Sequence, residues 1–322
     1  MAGSHWAARK VVIVGAGAVG STFAYALAQS GHADEIVLTD VNRDLAAGQA
    51  LDLVHGLPFF PAVDVRLGEP ADYRDASVVV ITAGAAQRPG ESRLDLIHRN
   101  AAIVQSIVDD VVAQQFPGVI VVATNPVDAL TYVAERRARL PHGRVLGSGT
   151  ELDSARLRYL LSRQCKVDVH NVHAYVLGEH GDSELVAWSL VHIAGVPIDE
   201  YCRSCGNCAA WEVTRAAIEK SVRDSAYHII NYKGATWFAI GLALVRIVGA
   251  ILRNQRSVLS VSSLLTGAYG LTDVCLSLPA IVSGKGVERV IETPLLPREL
   301  ESLHHSADVL RSAIKGLEGD RP

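Results

Sequence analysis

Lys10-Val11-Val12-Ile13-Val14-Gly15-Ala16-Gly17-Ala18-Val19-Gly20 decides the fold of this chain. The first five residues are mostly β-branched and read as a buried strand. Val19 to Ser30, rich in alanine, reads as the helix that follows. The glycines fall where a strand turns sharply into a helix. Gly15 permits the tight turn, Gly17 lets a pyrophosphate approach the backbone, and Gly20 lets helix and strand pack closely. Val19 sits inside the same loop–helix junction. The helix N-terminus adds unpaired N–H groups and positive potential for phosphates. A glycine pattern of this kind is weak alone, but here both flanks fit. Glu35-Ile36-Val37-Leu38-Thr39 reads as a second strand, and Asp40 ends it, twenty residues after Gly20. A carboxylate there can accept ribose hydroxyls and repels a 2′-phosphate, which favours NAD over NADP. The plainer alternative is a glycine turn followed by a strand-end aspartate.

Working outward, the alternation continues to about Leu146. Arg43 to His55 and Leu94 to Gln115 read as helices, and Ser77 to Thr82 and Val119 to Ala123 as strands. Continuous apolar strands separated by helices predict a Rossmann doubly wound parallel sheet over residues 10–149, covered on both faces. After Gly149 the pattern changes. Helices are predicted at Glu151 to Arg163, Trp211 to Asn231, Ala235 to Arg253 and Pro297 to about Lys315. Strand-like runs are predicted at Asn171 to Val176, Leu185 to Val196, Val258 to Ala268 and Val274 to Ile281. This mixed order predicts an α+β substrate domain over residues 150–322. No repeat or low-complexity linker separates the halves, so they are expected to pack tightly around a cleft. Residues 1–9 are polar and small and are expected to be a flexible N-terminus.

With 322 residues, 49% of them hydrophobic, more than one domain is the expectation. A net charge of -4 gives no electrostatic case for nucleic acid or an anionic membrane. No apolar signal core is visible, and Phe238 to Leu252 is short and interrupted by Arg246. That stretch is expected to be a buried core helix, and the chain to reside in the cytoplasm. Five cysteines without an export signal fit reduced thiols. Three form Cys202-x-x-Cys205-x-x-Cys208, but no fourth ligand lies at a convincing spacing. A surface segment with free thiols, and no metal, is the expectation.

Four further segments carry candidate chemistry. In Gly178-Glu179-His180-Gly181-Asp182, a histidine between glycines can face a cleft, and its charge can switch near neutral pH. In Glu151-Leu152-Asp153-Ser154-Ala155-Arg156, Asp153 and Arg156 share a helix face. One could orient a histidine while the other holds an anion, or the two could form a local ion pair. Gln87-Arg88-Pro89-Gly90-Glu91-Ser92-Arg93 follows a strand at the end where open α/β sheets bind ligands, and suits a lid. An ordinary charged loop is the alternative. Thr124-Asn125-Pro126-Val127-Asp128 follows another strand and reads equally well as a helix cap.

Taken together, these segments and Asp52-Leu53-Val54-His55-Gly56 resemble the L-lactate and malate dehydrogenase family from Lys10 to about Ala313. The resemblance implies that NAD is held by Gly15, Gly17, Val19, Gly20, Asp40, Ala83, Gly84 and Asn125. It implies that His180 is the acid/base for a 2-oxo acid and its 2-hydroxy acid. Asp153 would hold the imidazole and Arg156 the substrate carboxylate in a two-pronged contact. Arg93 would polarise the carbonyl under a closed lid, with Asn125 on the substrate oxygen.

Gln87 occupies the position where malate-using relatives resemble one another in carrying arginine. A neutral residue there fits the methyl end of pyruvate and opposes a second carboxylate. Thr236 matches the family position near the same end of the substrate. Arg88 could meet a dicarboxylate only if the loop shifted by one residue. Malate oxidation is therefore the rival activity, and a non-catalytic NAD-binding protein the rival class. The resemblance also implies a homotetramer, or at least a dimer. In the bacterial lactate dehydrogenases that the chain resembles, residues matching Arg158 and His173 bind fructose 1,6-bisphosphate at a subunit interface.

Overall fold

Three runs of consecutive buried residues, Val11 to Val14, Val78 to Ile81 and Val119 to Val122, form the centre of a sheet. The structure is a computed structural model that describes residues 9–85, 93–206, 208 and 210–318. Strands β1 (Lys10–Val14), β2 (Glu35–Thr39), β3 (Asp64–Leu67), β4 (Val78–Ile81), β5 (Val119–Val122) and β6 (Val145–Gly147) lie parallel, side by side as β3-β2-β1-β4-β5-β6. Helices α1 (Ala18–Ser30), α2 (Arg43–His55), α3 (Arg93–Ala113) and α4 (Val127–Ala138) connect them. Strand order reverses between β1 and β4, which opens a crevice at their carboxyl ends. The expected Rossmann sheet is therefore present, and the glycine loop stands at its switch point.

Both faces of the sheet are covered, which is why these strands are apolar throughout rather than alternating. One face packs Val11, Ile13, Ile36 and Leu38 against Phe23 and Leu27 of α1. The other packs Val12, Ile81 and Ile120 against Val104 and Val108 of α3 and Leu130 of α4. Each such side chain, removed fully from water, contributes roughly 1.5–3 kcal/mol.

The second half comprises α5 (Glu151–Cys165), β7 (Val172–His173), β8 (Val176–Leu177), β9 (Leu185–Val186), β10 (His192–Ile193), β11 (Val196–Pro197) and α6 (Ile198–Ser204). Then follow α7 (Trp211–Lys233), α8 (Phe238–Leu252), β12 (Ser257–Thr266), β13 (Thr272–Ser283), β14 (Gly286–Val290) and α9 (Pro297–Glu318). Strands β12 to β14 do not build a separate sheet. Ser262 of β12 pairs antiparallel with Gly147 of β6, so among the described residues nine strands form one sheet.

Three expectations change. The run Leu185 to Val196 is not one strand: a 3-10 turn at Trp188–Leu190 and a two-residue turn at Ala194-Gly195 divide it into β9, β10 and β11. Helix α8 buries Leu244, Ile247 and Val248 against α1 and the sheet, but leaves Phe238 and Leu242 each 64% exposed. The cysteine segment is not a surface run, because Cys202 and Cys208 are buried and Cys205 is half-buried. Among the described residues, no helix is long and apolar enough to cross a membrane.

Candidate active site

The glycine loop has the shape its sequence predicts. Gly15 adopts φ +109°, and a Cβ there would lie 2.5 Å from the Ala83 nitrogen. A Cβ on Gly20 would lie 1.8 Å from the Gly15 oxygen. Both glycines are thus demanded by the protein itself. Gly17 differs, since nothing lies within 4 Å of its would-be Cβ. Its surface is open, as a site for a phosphate pressed against the backbone must be. No side chain caps the first turn of α1, so its leading N–H groups remain available to an anion.

Asp40 stands beside this loop, half-buried. Its Oδ2 accepts the Ala16 N–H at 2.7 Å and its Oδ1 the Asn42 N–H at 2.9 Å, which ties β2 to the cradle. Thr82 donates to the Gly15 oxygen at 2.9 Å, and Thr124 to the Ala83 oxygen at 2.7 Å. Ala83 is half-buried and Gly84 exposed at the mouth. An open glycine, an uncapped helix start and a strand-end carboxylate fit a dinucleotide of the NAD type.

Asp153 is the hinge of the second group. It lies in the first turn of α5, its side chain only 2% exposed. One carboxylate oxygen meets His180 Nδ1 at 2.5 Å. The other accepts the Arg156 guanidinium at 2.6 Å. The sequence left two readings of Asp153, histidine partner or local ion pair with Arg156, and the structure places it in both contacts. With Nδ1 committed to Asp153, His180 has its Nε2 for chemistry.

The His180 loop is pinned on several sides. Gly178 exchanges backbone hydrogen bonds of 2.9 Å with Ser277 of β13. The Glu179 N–H donates to Ser306 of α9 at 2.7 Å, and Tyr227 of α7 donates to Asp182 at 2.8 Å. The His180 N–H donates to Asp128 at 2.7 Å. Asp128, near the start of α4, is buried beneath the histidine.

Electrostatics favour a protonated imidazole. Burial opposes its charge, but Asp153, and behind it Asp128 and Glu184, more than offset that, and the His180 pKa is pushed up to about 9. Asp153 is held below the usual carboxylate range despite its burial, by His180 and then Arg156. Burial, together with the nearby Asp153 charge, pushes Glu184 up to about 8, and burial pushes Asp128 up to about 6. One oxygen each of Glu184 and Asp128 is buried without a hydrogen-bond partner among the described residues. A cleft of about 990 Å³ opens beside this loop, lined by Glu179, Asp182, Glu184, Arg223 and Glu299 among others.

The other predicted residues are placed less closely. Asn125 lies three residues past β5, exposed, before a cis Asn125–Pro126 bond. Its carbonyl accepts from Asn100 at 3.0 Å, and Asn100 accepts the Ala85 N–H at 2.8 Å, so the ends of β4 and β5 are stitched together. Thr236 is half-buried between α7 and α8. Gln87 and Arg88 lie outside the described residues. Arg93 opens α3, but its side chain also lies outside them. His173 is exposed on β7, and Arg158 donates to Glu151 at 3.1 Å.

Asn100, Asp128 and Glu184 were not anticipated. Asp128 and Glu184 each lie within four residues of a candidate, but their burial depends on α4 and the His180 loop meeting, which no local pattern reveals.

Comparison with known proteins returns one family. Residues 9–147 match the lactate/malate dehydrogenase NAD binding domain, and residues 150–319 the lactate/malate dehydrogenase alpha/beta C-terminal domain. An L-lactate dehydrogenase of Treponema denticola is 57% identical over 307 residues, covering 95% of this chain and 97% of that protein. One from a Thermoanaerobacter species is 50% identical over 96% of this chain and 99% of its own. Among solved structures, a minor L-lactate dehydrogenase of Enterococcus mundtii in its ligands-bound form superposes with TM-score 0.93 at 43% identity, covering 98% of this chain and 99% of that chain. A lactate dehydrogenase from a Medee basin deep-sea metagenome gives 0.94 at 43% identity, covering 97% and 99%.

Proposed function

The chain belongs to the lactate/malate dehydrogenase family, and we infer that it is an NAD-dependent oxidoreductase that interconverts pyruvate and L-lactate. The observation that carries the mechanism is the chain of contacts from Arg156 through Asp153 to His180. Gly15, Gly17, Gly20 and Asp40, with Val19, Ala83, Gly84 and Asn125 around the crevice, would hold the dinucleotide. When bound, NADH supplies the hydride that the carbonyl carbon of pyruvate accepts.

His180 delivers the proton. Its Nε2–H donates to the carbonyl oxygen as negative charge develops there, and takes the proton back when lactate is oxidised. Asp153 stabilises the imidazolium and fixes which nitrogen faces the substrate. Arg156 gives Asp153 one nitrogen and keeps its remaining donors for the substrate carboxylate. Arg93 polarises the carbonyl, and Asn125 hydrogen-bonds its oxygen. Gln87 and Thr236 receive the methyl end. A neutral Gln87 leaves a second carboxylate buried and unpaired, which disfavours oxaloacetate.

Regulation and assembly belong to the same proposal. Fructose 1,6-bisphosphate would bind at Arg158 and His173 where subunits meet, its phosphates bridging cations that otherwise repel. The exposure of His173 supports this. The exposed Phe238 and Leu242 of α8 and Leu51 of α2 support a homotetramer, or at least a dimer. The chain is proposed to work in the cytoplasm.

The test is NADH oxidation with pyruvate and with oxaloacetate, each with and without the sugar bisphosphate. Pyruvate should be strongly preferred, with a saturation curve that the bisphosphate shifts to lower concentrations. Preference for oxaloacetate would assign the chain to malate, and an unresponsive curve would remove the Arg158 and His173 site.

A further inference from the structure

Four of the five cysteines converge at one place. Spacing along the sequence offers three, Cys202, Cys205 and Cys208. The fold supplies Cys165, the last residue of α5, 37 positions before Cys202. The sulfurs of Cys165, Cys202 and Cys208 all lie within 4.8 Å of one another. Cys205 Sγ lies 3.2 Å from Cys208 Sγ and 3.8 Å from the Cys202 carbonyl oxygen. A tetrahedral site with metal–sulfur bonds of roughly 2.3 Å has sulfur–sulfur edges of roughly 3.8 Å. The Cys205–Cys208 separation lies inside that edge, and the mutual approach of the other three sulfurs to within 4.8 Å is compatible with one shared ion.

The backbone also suits a ligand cage. Cys202 lies on the short helix α6, and Cys205 caps it. Gly206 follows with φ +69°, in the left-handed region that favours glycine, and the Cys208 sulfur lies beside those of Cys165 and Cys202. The cluster sits in a satellite core with Leu161, Val172, Ile193, Ile198 and Trp211. This pocket is apolar, which favours neutral thiols over anions. Burial, reinforced by the neighbouring sulfurs, pushes Cys165 up to about 12, and Cys202 and Cys208 are raised as well.

We propose that Cys165, Cys202, Cys205 and Cys208 form a four-thiolate site for a thiophilic divalent cation of the zinc class. Binding releases the thiol protons to solvent, and the cation's charge compensates the thiolates. With all four positions filled by protein, no coordination site is left for substrate, so the role is structural. The cation would clasp the far end of α5, whose first two turns carry Asp153 and Arg156, to α6 and the base of α7, whose Tyr227 holds Asp182.

The test is titration of the reduced, metal-stripped full chain with Co²⁺ under anaerobic conditions. One cobalt per chain should bind, with thiolate-to-cobalt charge transfer and the intense visible bands of a tetrahedral centre. Zn²⁺ should displace it one for one. Cys165→Ser, Cys202→Ser and Cys205→Ser should each weaken or abolish this spectrum. Cys275→Ser, remote in the fold, should keep it. Cys205→Ser keeps the test decisive if the buried positions do not tolerate change, because Cys205 is only half-buried. A wild-type chain that binds no cobalt, or binds it with a weak octahedral spectrum, would overturn the proposal. So would a disulfide among the four that forms in the metal-loaded protein, detected as the loss of two hydrogens in mass.

Discussion

The two halves of the crevice are built on different principles. The dinucleotide cradle is backbone. Its working surface is Gly17, the start of α1 and one strand-end carboxylate, all within a short stretch after β1 and β2. The acid/base group is side chain. It gathers Asp153 from α5, His180 from a loop, Asp128 from α4 and Glu184 from before β9. A cradle of amides needs space and has no charge state to set. A proton donor needs a raised pKa, and here buried carboxylates supply it.

The largest effect should come from breaking the charge network. Asp153→Asn keeps the shape but removes the charge that holds the imidazolium, so turnover should fall on the order of 10⁴-fold, as when other histidine-orienting aspartates are lost. Retention of more than a tenth of wild-type turnover would show that Asp153 merely pairs with Arg156.

Two glycine substitutions sharpen the other side. Gly20→Ala forces a Cβ to within 1.8 Å of the Gly15 oxygen and should lower thermal stability as well as NADH binding. Gly17→Ala meets nothing in the protein and should leave the melting temperature unchanged while weakening NADH, measured by fluorescence titration. Equal losses of stability in both would contradict a surface kept open for a ligand.

Stability should also depend on pH through the network. The folded His180 pKa, about 9, exceeds its ordinary value of 6.5, so its contribution is fully present below about 6.5 and is lost as pH rises through 9. Glu184, raised from 4.5 to about 8, acts in the same direction. The melting temperature should therefore fall from pH 6.5 to pH 9, and less so in His180→Gln. An unchanged slope in that variant would place the pH dependence elsewhere. The smallest effect should be on cofactor choice: Asp40→Ala should raise use of NADPH a few-fold, because the carboxylate that repels a 2′-phosphate is gone.

The same contrast explains what could be read in advance. The cradle and the strands β1, β2, β4 and β5 were legible because their signals are contiguous: glycine spacing, apolar runs, Asp40 at a strand end. His180, Asp153 and Arg156 were legible as residue types, and the resemblance gave them roles. Asp128 and Glu184 were not, since a carboxylate's burial depends on elements that meet only in the fold. The continuation of the sheet through β12 rests on a single pairing, Ser262 with Gly147, between segments more than a hundred residues apart. Cys165 shows the same gap, as the fourth sulfur of a cluster whose other three stand together in sequence.

The measurement that reaches furthest is the pH profile of kcat/KM for pyruvate at saturating NADH, in wild type and in Asp153→Asn. In the wild type the rate should hold across neutrality and fall on the alkaline side as His180 loses its proton, near its pKa of about 9. In Asp153→Asn the break should move down toward the ordinary histidine value, with a much lower plateau. The same break in both proteins would contradict a proton donor whose charge is held by Asp153.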